Sequence, residues 1–443
     1  MASMAILSDN VRKLYTKYFV TAFGSTMISC IYGIVDMAVV GQYQGPSGTA
    51  ALAVVAPVWN IIYSLGLLMG VGGSVLFSAA RGSATKGNSN NENVYFTTAF
   101  MVSVVLAIAS TATIWLFERP ILTFFGATTK EILDLAQSYL KPIKFVLPLF
   151  LMNQMISVFI RNDNDPALAT VGVLAGGLFN VFGDIFFTFT LKMGIFGAGL
   201  ATAMGSAISF AVLVSHFFKR SNTLRITRPQ HPVAQFKEVA TAGFSSFFID
   251  VAMGILTVIF NRQIMAYLGA DALAVYGPII NISTFVQCCA YSVGQAAQPI
   301  VSMNYGASKP QRIKETLRCS LYTVAVFGLL WTTVTMLFPN TFIRIFMAPT
   351  DAILKIAPRI IRTYALSFLL LPFNIFSTYY FQSIMKPKAA FIVSVFRGLV
   401  ISGALLLILP LIDAAMIWLA MPITELIMAI YVANAIRRYT KEL

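Results

Sequence analysis

Asp36 stands near the end of an apolar run, Tyr18 to Tyr43, that otherwise carries no charge, and Asp184 stands in a second run, Val171 to Leu191. Asn180 precedes Asp184 by four residues, a spacing that puts both side chains on one face of a helix. Ala198 and Thr202 repeat the spacing on the next predicted helix. Carboxylate, amide, hydroxyl and backbone carbonyl oxygens are the donors that a hard cation such as sodium takes, and the same group can hold a proton. An Asp at the centre of a membrane helix costs about 2.5 to 3.5 kcal/mol on insertion scales, so an acid kept at that depth marks a candidate functional site. If Asp36 and Asp184 share one enclosure, burial and like-charge repulsion retain a proton there until a cation displaces it. That exchange is the core of an antiporter. The plainer alternative, each Asp merely hydrogen-bonding a neighbouring helix, is weakened by two acids and an amide occurring together.

Other polar residues fall in apolar runs. Asn153, Gln154, Asn281 and Gln287, with Tyr291, Phe150 and Met69, are candidates for a substrate cavity, because aromatic faces and Met suit loosely specified organic cations. Asp250, on the seventh predicted helix, is a third membrane acid and a further ion or substrate contact. Arg397 and Glu425, on the last two helices, have opposite signs and read either as a buried structural pair or as direct participants in transport. His216 and His231 read as interfacial and linker residues. The chain has only 2 His, so no paired His, Cys or acid cluster of an enzyme is apparent, no residue is assigned a catalytic role, and no metal is implied beyond sodium at Asp36. Gly70, Gly72 and Gly73 read as close helix packing; no Lys-Ser/Thr follows to make a phosphate loop.

The elements that must hold these residues are membrane helices. Of 443 residues, 58% are apolar and 11% charged, against about a quarter charged in a soluble domain. A hydrocarbon layer about 30 Å thick needs roughly 20 apolar residues per helix, and about twelve such runs can be counted. The predicted spans are 17–41, 50–80, 93–117, 135–160, 166–190 and 195–218, then 240–268, 272–303, 315–338, 356–384, 388–410 and 413–436. The formal charge of +14 resides mostly in short gaps between runs, where it sets orientation instead of meeting nucleic acid. Placing the richer basic segments inside predicts a multi-pass protein with both termini cytoplasmic.

The two halves repeat. Ala51 to Val58 (ALAVVAPV) matches Ala272 to Ile279 (ALAVYGPI), Asn60 then falls on Asn281, and Leu147-Pro148 pairs with Leu371-Pro372. Six spans separate each residue from its match, so the copies share one orientation, as in parallel-repeat transporters that bind substrate between two lobes. The expected organisation is an N-lobe over 1–218, a basic cytoplasmic linker over 219–238 and a C-lobe over 239–443. Asp36 falls on Thr257, and Asn180 is expected on Arg397, so the cation site belongs to one half only.

Val35-Asp36-Met37-Ala38-Val39-Val40-Gly41, Asn180 with Asp184, Gly197 to Thr202, Pro299 to Gly306 and Met421 to Glu425 occur in the order of the multidrug and toxic compound extrusion (MATE) family, which the chain resembles over nearly its whole length. Arg161 to Pro166 is similar to the MepA-like bacterial branch, where Gly is common at the place of Asn164; Asn tolerates positive φ, so the turn can survive. The resemblance implies an all-α fold of twelve transmembrane helices in two pseudo-symmetric six-helix lobes, V-shaped. It further implies a bacterial cell membrane and export of lipophilic organic cations in exchange for protons or sodium, without a cofactor and as a monomer among membrane lipid. The cation site carries over onto Asp36, Asn180, Asp184, Ala198 and Thr202. A branch with an acidic C-lobe site uses a Glu on helix seven and an Asp on helix ten; here Asp250 lies about one turn from the former and helix ten has no acid. The rival is a lipid-linked precursor flippase of the same superfamily, which would be expected to show extra helices and a strongly basic central cavity.

Overall fold

The computed structural model describes residues 6–84, 91–127, 129–346 and 349–442. Among these the backbone is helical almost throughout, as it must be where no water can satisfy a free N–H or C=O. Eleven helices among the described residues are long and apolar enough to cross a membrane, or twelve with one bent pair counted as a single span, which is the number read from the sequence.

Helix α1 (Val11–Gly45) runs into α2 (Ser47–Ala84) across Gly45, whose φ of 66° is open to glycine at little cost. Then come α3 (Asn93–Phe124), α4 (Lys130–Ile143) and α5 (Leu147–Asn162), the last two forming the bent pair at 61°. Helix α6 (Pro166–Ile185) continues into a π-turn at Phe186–Thr190, and α7 (Gly194–Val214) closes the first half. The second half holds α8 (Pro232–Tyr267), α9 (Gly269–Gly306), α10 (Pro310–Leu337), the short α11 (Pro339–Phe346), α12 (Asp351–Ala365) and α13 (Leu371–Ser383). It ends with α14 (Pro387–Val395), a second π-turn at Phe396–Val400, α15 (Ile401–Ile412) and α16 (Ala420–Glu442).

The chain divides into two compact units: Val20–Phe247 with the segment ending at Ser8, and Phe248–Leu443 with Asp9–Phe19. The stretch expected as a linker is packed onto the first unit. Its backbone N–H groups at Thr223, Arg225 and Thr227 donate to Asp163 Oδ2, Asn93 Oδ1 and Thr97 Oγ1 at 2.9, 2.8 and 2.9 Å, and Leu224 is buried.

Both halves launch a helix from the same strained turn. Asn164 (φ 64°) and Met385 (φ 56°) adopt the left-handed conformation two residues before Pro166 and Pro387. Asn does so readily; Met carries the usual cost of about 1–2 kcal/mol. Counted from these prolines, Arg397 stands level with Gly176, one turn before Asn180, so the expected match of Asn180 to Arg397 is corrected.

Glycines set the helix spacing in the first unit. A Cβ on Gly176 would lie 2.5 Å from Gly205 O, and one on Gly205 would lie 2.6 Å from Gly176 O, so α6 and α7 meet backbone to backbone. Helices α2 and α8 meet likewise, where a Cβ on Gly243 would fall 1.9 Å from Leu68 O. Such contacts replace the hydrophobic drive that lipid cannot supply between helices.

A polar cluster joins α2, α5, α6 and α7 at one end of this unit. Arg81 Nη1 donates to Asp163 Oδ1 at 2.9 Å, and Arg81 and Asp163 both bond Thr223. His216 is fully buried, with Nε2 2.8 Å from Asp163 Oδ2 and Nδ1 3.4 Å from Asp165 Oδ2. This corrects its reading as an interfacial residue: two acids at the α5–α6 turn hold it inside. Burial would push the Asp163 carboxyl up, but hydrogen bonding from His216 and the Arg81 charge outweigh it and hold it below the ordinary carboxylate range. The His216 contact, opposed by burial and reinforced by Lys219, holds Asp165 well below that range.

Candidate functional site

The first unit brings four of the five predicted cation-site side chains onto one hydrogen-bonded chain and adds a residue that the sequence reading missed. Tyr139 Oη donates to Asp36 Oδ2 at 2.7 Å and lies 3.3 Å from Thr202 Oγ1. Asn180 Nδ2 donates to Thr202 Oγ1 at 3.0 Å and approaches Asp184 Oδ1 at 3.4 Å. Thr202 Oγ1 in turn donates to Ala198 O at 3.1 Å, so the fifth residue joins the chain through its carbonyl. Asp184 and Ala198 are wholly buried, Asn180 and Tyr139 nearly so, and Asp36 is half-buried.

Close helix packing positions the group. A Cβ on Gly199 would lie 2.2 Å from Tyr139 O, so only glycine lets α4 sit against α7 with Tyr139 beside Thr202. A Cβ on Gly183 would meet Ala201 Cβ at 2.9 Å, which holds Asp184 against α7. The π-turn directly after Ile185 disrupts the regular ladder one residue past Asp184, a placement typical of functional positions. Helix α4 is fixed at its other side: Gln137 Nε2 donates to Glu118 Oε2 at 3.2 Å, and Lys144 pairs with Glu118 at 2.5 Å.

Three buried oxygens on this chain, Asp36 Oδ1, Asn180 Oδ1 and Asp184 Oδ2, accept no hydrogen bond. Leaving a buried acceptor unsatisfied costs about 1–3 kcal/mol, more when it is charged. A cation or proton is what such oxygens lack. Among the described residues no group of three or more His, Cys, Asp or Glu side chains is placed to hold a metal. Two carboxylates, an amide, a hydroxyl and a carbonyl are oxygen donors of the kind that a hard cation takes.

The substrate-cavity candidates separate. Met69 is fully buried in the hydrophobic core of the first unit, and Asn153 Nδ2 is spent on Ser206, at 2.9 Å to O and 3.2 Å to Oγ. Phe150 packs against Trp59 with ring centres 4.6 Å apart and planes tilted by 55°, and Gln154 packs against Gly66. In the second unit Tyr291 Oη donates to Asp250 Oδ1 at 3.3 Å, Asn281 is half-buried, and Gln287 lines a small cavity. Arg397 and Glu425 meet, with Nε 2.9 Å and Nη2 2.7 Å from Oε1. Thr257, at the place of Asp36 in the repeat, turns its hydroxyl to Met253 O at 2.9 Å, so the second unit has no counterpart of the Asp36 carboxylate.

A chain of membrane-spanning helices with ionisable and amide groups buried at helix crossings has the make-up of a transporter. It belongs to the MatE family, whose model matches residues 22–186 and again 244–408, one match in each half. The multidrug export protein MepA of Staphylococcus haemolyticus is 23% identical over 380 residues, covering 85% of this chain and 82% of the relative. MepA of Staphylococcus aureus (strain NCTC 8325 / PS 47) is 23% identical over 383 residues with the same coverage. Two solved structures share the fold at 20% identity and a TM-score of 0.88. One is an outward-facing multidrug resistance MATE family transporter of the MOP superfamily, with 99% of this chain and 97% of that chain covered. The other is MATE in the straight conformation, with 99% and 98% covered.

Proposed function

We propose that this protein exports structurally diverse organic cations from a bacterial cell in exchange for protons or sodium, by alternating access between its two units. The observation that carries the reading is the hydrogen-bonded chain Asp36–Tyr139–Thr202–Asn180–Asp184 with its three unsatisfied oxygens. A coupling ion entering from outside neutralises these groups, changes which hydrogen bonds on the chain can form, and so biases the helices toward the conformation that releases drug. A ligand shifts such an equilibrium only by its differential affinity for the two states, and a buried carboxylate supplies that difference. Asp36 is the principal exchanging group, with Asp184 and Asn180 as partners. The basic segments place both termini in the cytoplasm, and the chain acts as a monomer in lipid. The multidrug export relatives support this reading over a lipid-linked precursor flippase.

Asp36→Asn tests it, because an amide can neither release a proton nor offer a full negative charge to sodium. Cells carrying the variant should lose ethidium resistance and efflux to the background level while the membrane holds normal amounts of folded protein. Resistance at the wild-type level would refute the assignment.

A further inference from the structure

The π-turn after α14 and helix α16, in the second unit, bury an ion pair of lopsided design. Glu425 is wholly buried and both its carboxylate oxygens are engaged: Oε1 by Arg397 Nε and Nη2 at 2.9 and 2.7 Å, Oε2 by Asn374 Nδ2 at 2.6 Å. Arg397, at the start of its π-turn, has five N–H donors, and the two on Nη1 bond no described residue. Arg397 forms part of the wall of a cavity of about 50 Å³, together with Thr257, Tyr276, Ser283, Gln287 and Tyr364, and its partner Glu425, wholly buried, is not among the lining residues. The cavity therefore meets the cationic end of the pair and is shielded from the anionic end. Thr257 and Ser283 give their hydroxyl hydrogens to Met253 O and Ile279 O, at 2.9 and 2.8 Å, and do not draw on the guanidinium. Its unused N–H groups in a low-dielectric enclosure favour a planar anionic acceptor, for which Arg offers two parallel bonds. The volume suits one small group and excludes a whole polycyclic drug.

We propose that this cavity receives the carboxylate of zwitterionic substrates, with Arg397 as the recognising group and Gln287 and Tyr276 as additional donors. The inference rests on the reading of the protein as an exporter of organic cations. It adds a polarity opposite to that of the Asp36 chain, whose unsatisfied atoms are acceptors. Substrates that carry a cationic nitrogen and a carboxylate are thereby distinguished from their esters.

The test is binding of a matched dye pair to the purified full-length protein by fluorescence polarisation: rhodamine 110, which carries a free carboxylate, and its methyl ester rhodamine 123. The double variant Arg397→Met with Glu425→Gln removes both charges, so that neither is left buried alone. Wild type should bind rhodamine 110 at least as tightly as the ester, acetate should compete with rhodamine 110 alone, and the double variant should weaken rhodamine 110 at least tenfold while moving rhodamine 123 less than threefold. Equal weakening of both dyes, or unchanged binding of rhodamine 110, would overturn the proposal. Should the double variant fail to fold, Gln287→Leu with Tyr276→Phe, clear of the ion pair, should still weaken rhodamine 110 at least threefold; no change there overturns it as well. Wild type that binds rhodamine 123 but not rhodamine 110 sinks this inference alone, whereas binding of neither dye sinks the exporter reading with it.

Discussion

Replacing Gly199 by Ala should uncouple transport without touching an ionisable residue. The added methyl would sit 2.2 Å from Tyr139 O, 3.0 Å from Tyr139 C and 3.2 Å from Pro142 Cγ, and ordinary contact begins near 3.4 Å. Backbone cannot rotate away as a side-chain tip can, so α4 must retreat from α7 by roughly 1 Å, at the overpacking cost of about 1–3 kcal/mol. That retreat stretches the 3.3 Å Tyr139–Thr202 contact to about 4.3 Å, too long for a hydrogen bond, and breaks the chain that places Tyr139 on Asp36. A hydrogen bond to a charged group contributes about 1.5–3 kcal/mol, and each 1.4 kcal/mol is tenfold in an equilibrium. Ethidium efflux from proteoliposomes under an imposed ion gradient should accordingly fall at least tenfold. Tyr139→Phe should reproduce the defect without the overpacking. Gly403→Ala is the control, since a Cβ there meets nothing within 4 Å. Wild-type efflux by Gly199→Ala, or an equal loss in Gly403→Ala, would refute the argument that Gly199 places Tyr139.

Gly243→Ala should do worse, because its Cβ falls 1.9 Å from Leu68 O and the facing Gly72 leaves no slack; detergent-solubilised protein should show sharply lower yield and melting temperature. The Asp163–Asp165 cluster predicts acid sensitivity. Both carboxyls sit below their unfolded range in the folded state, so their stabilisation is complete above the unfolded value of about 3.9 and is lost as pH falls from there through the folded values. Asp163→Asn should flatten thermal stability measured across pH 3 to 5 and lower it at pH 7, since Arg81 and His216 then lose their shared anionic partner; an unchanged pH profile would show that the cluster does not hold the α5–α6 turn.

The acids of the first unit were legible because a charge in an apolar run is conspicuous, and the Asn180–Asp184 and Ala198–Thr202 spacings each fix a helix face. Tyr139 was not legible. It lies 103 residues from Asp36, tyrosines are common near helix ends, and its partnership exists only because Gly199 brings α4 against α7. The periodicity that placed Met69 and Asn153 on membrane helices could not say which faces were buried against neighbours; Met69 lies in the core of the first unit and Asn153 bonds Ser206. His216 was misplaced for a related reason: its burial depends on Asp163 and Asp165, which reach it from the turn between two other helices. The positive φ allowed at Asn164 could be read from residue type, whereas the same conformation at Met385 has no local signature and is imposed by the repeat.

The central claim is that the Asp36 site carries the ion that drives export. Its most direct test is to follow proton and sodium movement in proteoliposomes, by a pH-sensitive dye and by ²²Na, while ethidium is added to wild type and to Asp36→Asn. Wild type should show ethidium-evoked countermovement of one of the two ions, and the variant of neither. Ion movement of undiminished size through Asp36→Asn, still coupled to ethidium, would contradict it.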